Sequence, residues 1–230
     1  MKLLLLSNST HADFSTNYIH EFLDKVDTDI LFIPYAAVRL SYVQYEERVN
    51  LAWSGIERQV KSIHHFSNPK EAVRKSKAIV VGGGNTWQLV KTLHEYDLMN
   101  EIKEHVNSGI PYIGWSAGSN IACPTLRTTN DMPVVEPSSF ETLGLIPFQI
   151  NPHYMDANPD GHRGETREER IEEFIELNRN IYVAGLRENT LLSYHKGKIK
   201  LQGNRTVRIF KYGEEPKEFN SDDDLSFLIQ

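Results

Sequence analysis

The chain has 230 residues, 40% of them hydrophobic, with a single cysteine and a formal net charge of −6. A chain of this length and apolar content can bury its own hydrophobic core, and we expect a single domain that spans residues 1–230. The acidic balance and the scattered lysines and arginines argue against a nucleic-acid partner, and one cysteine excludes an internal disulfide.

The first predicted element is a strand at residues 2–7, an apolar run that leads into polar residues. The run is too short for the apolar segment of a signal peptide, and no stretch of the chain approaches the length of a membrane span. We therefore expect a cytoplasmic protein that does not associate with membranes.

Apolar runs alternate with helical patterns as far as Leu186, which is typical of an α/β protein with a mostly parallel sheet flanked by helices. The predicted strands are residues 2–7, 30–34, 62–66, 78–81, 112–115 and 181–186. The predicted helices are residues 16–25, 43–56, 69–75, 86–93, 98–107 and 165–178. The helix at 69–75 has the clearest start, because Asn68 can cap it and Pro69 occupies its first position.

The pattern changes after Leu186. Apolar runs at 191–194 and 199–201 flank a short turn and a further run follows at 206–212, so we predict C-terminal antiparallel hairpins added to the sheet. The segment 123–152 lacks clear periodicity and is rich in proline and threonine. We predict that it forms a long ordered loop that carries functional residues.

The strand predicted at 112–115 ends in G-W-S-A-G, the G-x-S-x-G pattern of a nucleophile elbow centred on Ser116. Such a turn between a strand and a helix exposes one serine hydroxyl above the N–H groups of the helix. A chance match, in which Ser116 only caps the helix, is the alternative. The apolar strand before Ser116 and the helix-forming residues after it favour a nucleophile.

Three consecutive glycines, Gly82 to Gly84, follow the strand predicted at 78–81. Their spacing does not match dinucleotide-binding or phosphate-binding loops, and a tight turn explains one glycine but not three. We predict that backbone N–H groups of Gly83 or Gly84 form an oxyanion hole together with the N–H group of Ala117.

A serine nucleophile needs a base, and His153 has the most favourable position among the nine histidines. Pro152 restricts the backbone before it, and the apolar run 145–150 places it near the end of a strand. His162 is the competitor, but neighbouring glycines make its position less rigid. The other histidines are more typical of surface or packed residues.

Two acids are candidates for orienting the histidine. Asp131 lies in the loop after Ser116, where an Asx turn is the alternative explanation. Glu188 follows the strand predicted at 181–186, at the end of a sheet where α/β proteins collect catalytic groups. The spacing alone does not separate them.

Five segments together resemble the S51 family of serine peptidases, whose members cleave dipeptides that begin with aspartate. The resemblance runs in order from about residue 30 to about residue 203 and rests on residues 82–86, 114–120, 128–133, 151–153 and 164–167. It implies a fold similar to class I glutamine amidotransferases, with serine at the position that those enzymes give to cysteine.

The resemblance also implies residue roles. Ser116 is then the nucleophile that forms an acyl-enzyme and His153 is the base. Glu188 is favoured as the third member of the triad, with Asp131 supporting the site, although Asn189 follows Glu188 where the family has a more glycine-rich turn. The expected partner is a small Asp-X peptide, without metal or cofactor, and both a monomer and a homodimer stay open.

Recognition of an aspartyl side chain requires a cation in the cleft, and Arg167 is our first candidate. A positive charge in the first turn of a helix interacts unfavourably with the helix dipole, and such an exception to a local rule suggests a function. Arg167 also precedes Ile171 by one turn on the apolar face of the helix, which points its side chain toward the sheet. Arg163 is the second candidate, and Arg170 is interpreted as a surface residue. We also predict that Asn85 contacts the substrate.

Two other functions stay open. A related hydrolase on the same scaffold, cyanophycinase-like or esterase-like, would act on polymers or esters and would not depend on Arg167. A non-catalytic or amidotransferase-like module is less favoured, because an amidotransferase needs a cysteine at the elbow and Cys123 lies outside it.

Overall fold

Two β-sheets form the framework of the computed structural model, which describes residues 1–8, 13–158, 161 and 163–230. The described strands are β1 Lys2–Leu6, β2 Ile30–Ile33, β3 Val60–Ser62, β4 Ala78–Val81, β5 Pro111–Trp115, β6 Gln149–Tyr154, β7 Val183–Arg187, β8 Thr190–His195, β9 Lys198–Gly203, β10 Val207–Phe210 and β11 Lys217–Phe219. The described α-helices are α1 Asp13–Phe22, α2 Tyr42–Ala52, α3 Pro69–Lys75, α4 Thr86–Glu95, α5 Met99–Asn107, α6 Ala117–Asn120 and α7 Arg167–Leu177.

The main sheet has seven strands in the order β3-β2-β4-β5-β1-β8-β9. Its first five strands are parallel, while β8 pairs antiparallel with both β1 and β9. Strand β1 shows why the parallel strands are continuous apolar runs. Leu3 and Leu5 belong to one hydrophobic cluster, and Leu4 and Leu6 belong to another. Both faces of the sheet are therefore covered.

The second sheet has the order β11-β10-β7-β6. Strands β6 and β7 are parallel, whereas β10 is antiparallel to β7 and β11. Ile171 and Ile175 on α7 pack with Tyr154, Val183 and Phe210 in a separate hydrophobic cluster. This sheet brings the chain around residue 153 close to the chain around residue 187.

The prediction of an α/β fold with a mostly parallel main sheet and flanking helices is confirmed, and β8 with β9 extends that sheet as an antiparallel hairpin. The run predicted at 206–212 forms β10, but β10 pairs in the second sheet and not in the main sheet. The strand predicted at 181–186 corresponds to β7, which also belongs to the second sheet. The N-cap of α3 is Asn68, as predicted, with its side chain accepting from the N–H group of Glu71.

The strand predicted at 62–66 is wrong. Strand β3 ends at Ser62, and a 3-10 helix follows over Ile63–His65. The N–H group of Phe66 donates to the carbonyl of Ile63 at 3.1 Å. Apolar residues three apart suit a 3-10 turn as well as a strand, so the short apolar pattern was ambiguous.

The loop predicted at 123–152 is largely irregular up to residue 148, with a 3-10 helix at Leu126–Thr128, and its last residues form β6. Among the helices that the structure describes, none is both long and apolar enough to cross a bilayer.

Candidate active site

Ser116 lies at the sharp turn between β5 and α6, as the elbow motif predicts. Its backbone adopts φ 52° and ψ −113°, a strained conformation for a residue with a side chain. Its N–H group donates to the carbonyl of Leu6 at 3.1 Å, which ties the turn to β1. A Cβ atom at Gly118 would lie 2.2 Å from the carbonyl oxygen of Val81, so only glycine fits there.

The hydroxyl of Ser116 is not used to cap the helix. Ser116 occupies the N-cap position of α6, but its side chain makes no capping hydrogen bond. Instead its Oγ lies 3.0 Å from Nε2 of His153. The alternative that Ser116 is merely a helix cap is therefore wrong.

His153 links Ser116 to Glu188. Its Nδ1 lies 3.1 Å from Oε1 of Glu188, so both ring nitrogens are within hydrogen-bonding distance of a predicted catalytic partner. The side chain of His153 is 38% exposed and that of Glu188 is 58% exposed. A small substrate can thus reach the histidine, and solvent screens the charge of the glutamate.

The backbone at His153 is irregular. Its φ is 55°, and the register between β6 and β7 shifts between Pro152 and Tyr154. This irregularity is a β-bulge, which turns a side chain away from the direction that a regular strand gives it. The side chain of Asn130 donates to the carbonyl of Pro152 at 2.6 Å and holds the bulge from the loop side.

Ser7, which follows β1 of the main sheet, also contacts the bulge at His153. The sequence analysis did not identify this residue. Its side chain is fully buried, and its Oγ accepts from the N–H group of His153 at 2.9 Å while donating to the carbonyl of Leu186 at 2.7 Å. The N–H group of Ser7 donates to the carbonyl of Thr190 at 3.1 Å. One hydroxyl just after β1 therefore connects β6, which carries His153, with β7, which leads into the turn that carries Glu188.

Arg187, the residue before Glu188, is a second residue that sequence reasoning missed. Arg187 is 5% exposed, and its guanidinium binds the carboxylates of Asp156 and Glu218 and the hydroxyl of Thr206. Burial raises the pKa of Glu218, but hydrogen bonds from Arg187, Thr206 and Arg208 outweigh it and lower that pKa to about 2. The ion pairs around the buried Arg187 side chain fix the end of β7 and hence the start of the turn that carries Glu188.

Asp131 contacts the start of α4 and makes no hydrogen bond to His153. Its Oδ2 accepts from the N–H group of Thr86 at 2.7 Å, and from the hydroxyls of Thr86 and Thr129 at 2.6 Å and 3.0 Å. Asn85 caps the same helix, because its Oδ1 accepts from the N–H group of Gln88 at 3.1 Å. The structure thus places Asp131 and Asn85 together beside the glycine loop.

The glycine loop lies directly against Ser116. A Cβ atom at Gly83 would lie 3.0 Å from the Cβ of Ser116. Within the described residues, the N–H groups of Gly83, Gly84 and Ala117 have no hydrogen-bond acceptor. Free N–H groups beside a serine hydroxyl are what an oxyanion hole requires.

Tyr45 on α2 holds the glycine loop through a hydrogen bond to its backbone. Its hydroxyl donates to the carbonyl of Gly83 at 2.9 Å and accepts from the indole N–H of Trp115 at 3.1 Å. Burial raises the pKa of Tyr45 to about 12, so its hydroxyl stays protonated and can donate. The hydroxyl of Tyr45 therefore links Trp115, the residue before Ser116, to the glycine loop.

Arg167 is half-buried at the first position of α7, on the same face as Ile171 and Ile175, as predicted. Its Nε atom is buried and lacks a hydrogen-bond partner among the described residues. Burial and the nearby charge of Arg170 lower the pKa of its guanidinium, while the charge of Asp131 acts in the opposite direction. No ion pair to this guanidinium exists in the described part of the chain.

The other predicted candidates are less well placed. Arg170 is exposed and lies 3.4 Å from the carboxylate of Glu165, in agreement with its interpretation as a surface residue. Arg163 is exposed, and His162 lies outside the described residues. Cys123 is fully buried, and burial raises the pKa of its thiol, so the thiolate that nucleophilic attack needs is disfavoured.

The family model for peptidase family S51 matches residues 3–202, which is most of the chain. The chain belongs to peptidase family S51. Among its relatives, a protein named peptidase E from Nostoc sp. is 47% identical, with 100% of this chain and 97% of the relative covered. Peptidase E from Streptomyces coelicolor is 44% identical, over 100% of this chain and 95% of the relative.

Solved structures share the fold of this S51 peptidase. A peptidase from an acI-B1 actinobacterium has a TM-score of 0.73 at 19% identity, with 98% of this chain and 96% of that chain covered. A putative peptidase E from Listeria monocytogenes has a TM-score of 0.66 at 23% identity, with 88% and 98% covered. Family membership and relatives together identify this S51 protein as a serine-type peptidase.

Proposed function

We propose that this S51 peptidase is a dipeptidase that hydrolyses dipeptides with an N-terminal aspartate. The observation that carries the proposal is the chain of contacts from Ser116 through His153 to Glu188, next to free backbone N–H groups. Nucleophile, base and orienting carboxylate in this order are the arrangement of a serine hydrolase.

In the proposed reaction, Oγ of Ser116 attacks the peptide carbonyl carbon while Nε2 of His153 accepts its proton. The N–H groups of Gly83, Gly84 and Ala117 donate to the oxyanion of the tetrahedral intermediate. The C–N bond then breaks, and His153 gives its proton to the departing amino group. An aspartyl ester of Ser116 and the free second amino acid result.

The second half of the reaction releases the aspartate. Water attacks the ester carbonyl, and His153 takes a proton from the water and returns it to Oγ of Ser116. Throughout, the carboxylate of Glu188 accepts from Nδ1–H and stabilises the charged imidazolium. All the groups in this scheme are side chains and backbone groups of the chain itself.

The proposed specificity rests on Arg167. Among the described residues this half-buried guanidinium has no ion pair, which is costly, and a substrate carboxylate would supply a partner. Arginine can bind a carboxylate with two parallel hydrogen bonds, which selects both charge and geometry. A glutamyl substrate carries one more methylene group, which moves its scissile carbonyl away from Ser116.

The specificity is tested with Arg167→Met, with Arg170→Met as the matched control on the same helix. Breaking a buried charge pair costs about 3–5 kcal/mol, so kcat/KM for Asp-Leu should fall by about 10² to 5 × 10³ in Arg167→Met. The value for Asn-Leu should change little, because this substrate buries no charge. Arg170→Met should resemble the native enzyme, since its ion pair is exposed.

Full discrimination between Asp-Leu and Asn-Leu by Arg167→Met would remove Arg167 from the proposal and direct attention to Arg163. Equal activity of the native enzyme on ester or polymeric substrates would favour the related hydrolase instead. A Cys123→Ser variant with greatly reduced turnover and a native fold would contradict the serine mechanism.

We also propose a cytoplasmic site of action, on the sequence grounds given above. Cell fractionation of a producing strain should place the Asp-Leu hydrolysing activity with cytoplasmic markers. Recovery of the activity with membranes or in the culture medium would contradict this location.

A further inference from the structure

Outside the active site, Glu46, His64 and His65 form a compact group at the β3 edge of the main sheet. Glu46 lies on α2, and the two histidines lie in the 3-10 helix that follows β3. One side-chain ligand atom from each residue lies within 4.8 Å of the other two. None of the three contacts Ser116, His153 or Glu188.

Glu46 is held in place by its neighbours. Its Oε1 accepts from the N–H group of Ser62 at 2.8 Å, and its Oε2 lies 2.6 Å from Nε2 of His65. The side chain of Glu46 is 14% exposed, while that of His65 is 40% exposed. The carboxylate is therefore preorganised, and the group stays open to solvent on the side of His65.

His64 carries the decisive observation. Its Nδ1 lies 2.6 Å from the hydroxyl of Ser62, whereas its Nε2 is buried without a hydrogen-bond partner among the described residues. A metal-binding histidine commonly bonds through its other ring nitrogen to a polar neighbour, which fixes the ring and leaves one lone pair for the metal.

We propose that Glu46, His64 and His65 bind a divalent transition-metal ion of the Zn²⁺ type. Two imidazole nitrogens and one carboxylate oxygen are a donor set that suits Zn²⁺. Three protein ligands leave a fourth position for water. The ion joins α2 to the segment after β3, beside a cleft of about 590 Å³ that Glu46 also lines. Its role is to stabilise the fold, because no proposed catalytic residue lies in the group.

The experiment uses the full chain, freed of metal with a chelator and titrated with Zn²⁺ in a calorimeter. We expect saturable binding of one ion per chain and a higher unfolding temperature in the presence of Zn²⁺. His65→Ala and Glu46→Gln should weaken binding at least about 10-fold and abolish the thermal shift. The matched controls His195→Ala and Glu47→Gln, at exposed positions, should bind like the native protein.

Circular dichroism checks that each variant is folded. If Glu46→Gln does not fold, His65→Ala decides, because that exposed ring can be removed without creating a cavity. The proposal is overturned if the native chain shows no saturable binding, or if His65→Ala binds Zn²⁺ as tightly as His195→Ala. These readouts do not depend on peptidase activity, so they can fail separately from the proposed function.

Discussion

The main sheet and the second sheet contribute to the candidate site in different ways. Ser116 comes from the main sheet, where a five-residue motif at the end of β5 fixes its position. His153 lies on β6 of the second sheet, and Glu188 lies 35 residues further along the chain in the turn after β7. The N–H group of His153 donates to the hydroxyl of Ser7, which is 146 residues away in the chain. The proposed nucleophile is thus a local feature of the sequence, whereas the positions of the proposed base and acid depend on long-range contacts.

The largest expected effect is that of replacing Ser116, the part of the site that the local motif positions. Ser116→Ala should fold and bind Asp-Leu but lose about 10⁴–10⁶ in kcat, because the oxyanion hole and pocket remain while covalent catalysis is lost. Steady-state hydrolysis together with binding by calorimetry would check this. Turnover within about 10-fold of native would contradict a role for Ser116 as nucleophile.

The next prediction separates the two acids. Glu188→Gln should lower kcat by about 10²–10⁴, because the imidazolium loses its charged partner. Asp131→Asn should instead destabilise the protein by about 1–2 kcal/mol through the start of α4, with a smaller loss of kcat. Urea unfolding and steady-state kinetics of both variants measure the two quantities, and the opposite ranking of kcat would assign the triad to Asp131.

A smaller effect tests how the main sheet positions the second. Ser7→Ala leaves the N–H group of His153 without its acceptor, and a displacement of the ring should lower kcat by about 10–100-fold with little change in KM. Ser7→Thr keeps the hydroxyl and should restore part of the lost kcat if it folds. A Ser7→Ala enzyme with native kcat but lower stability would show that Ser7 acts only on the fold.

The smallest effect concerns the ion pairs that Arg187, the residue before Glu188, makes with Asp156 and Glu218. Because the pKa of Glu218 is lowered from 4.5 to about 2 in the folded chain, its stabilising contribution is complete above pH 4.5 and is lost as the pH falls toward 2. Glu218→Gln should therefore be less stable than the native protein above pH 4.5 and approach it at lower pH. Urea unfolding across this range checks the difference, and a constant difference would exclude the linkage.

The sequence determined the features that depend on neighbouring residues. The elbow at Ser116, the glycine loop and the N-cap at Asn68 were predicted because strand ends, glycine spacing and capping residues act within a few positions. The inward direction of Arg167 was predicted for the same reason, since helical periodicity relates it to Ile171. The resemblance to the S51 family rests on such short segments.

Only the tertiary structure decided the features that depend on distant parts of the chain. It placed Glu188 within hydrogen-bonding distance of His153 and Asp131 at the start of α4. It also revealed the contacts of Ser7 and Arg187, which are an ordinary serine and arginine in the sequence. It also placed β7 and β10 in a second sheet, because an apolar run does not specify its pairing partner. A hydrogen bond between residues far apart has no local signature, since it exists only once the strands that carry them have packed.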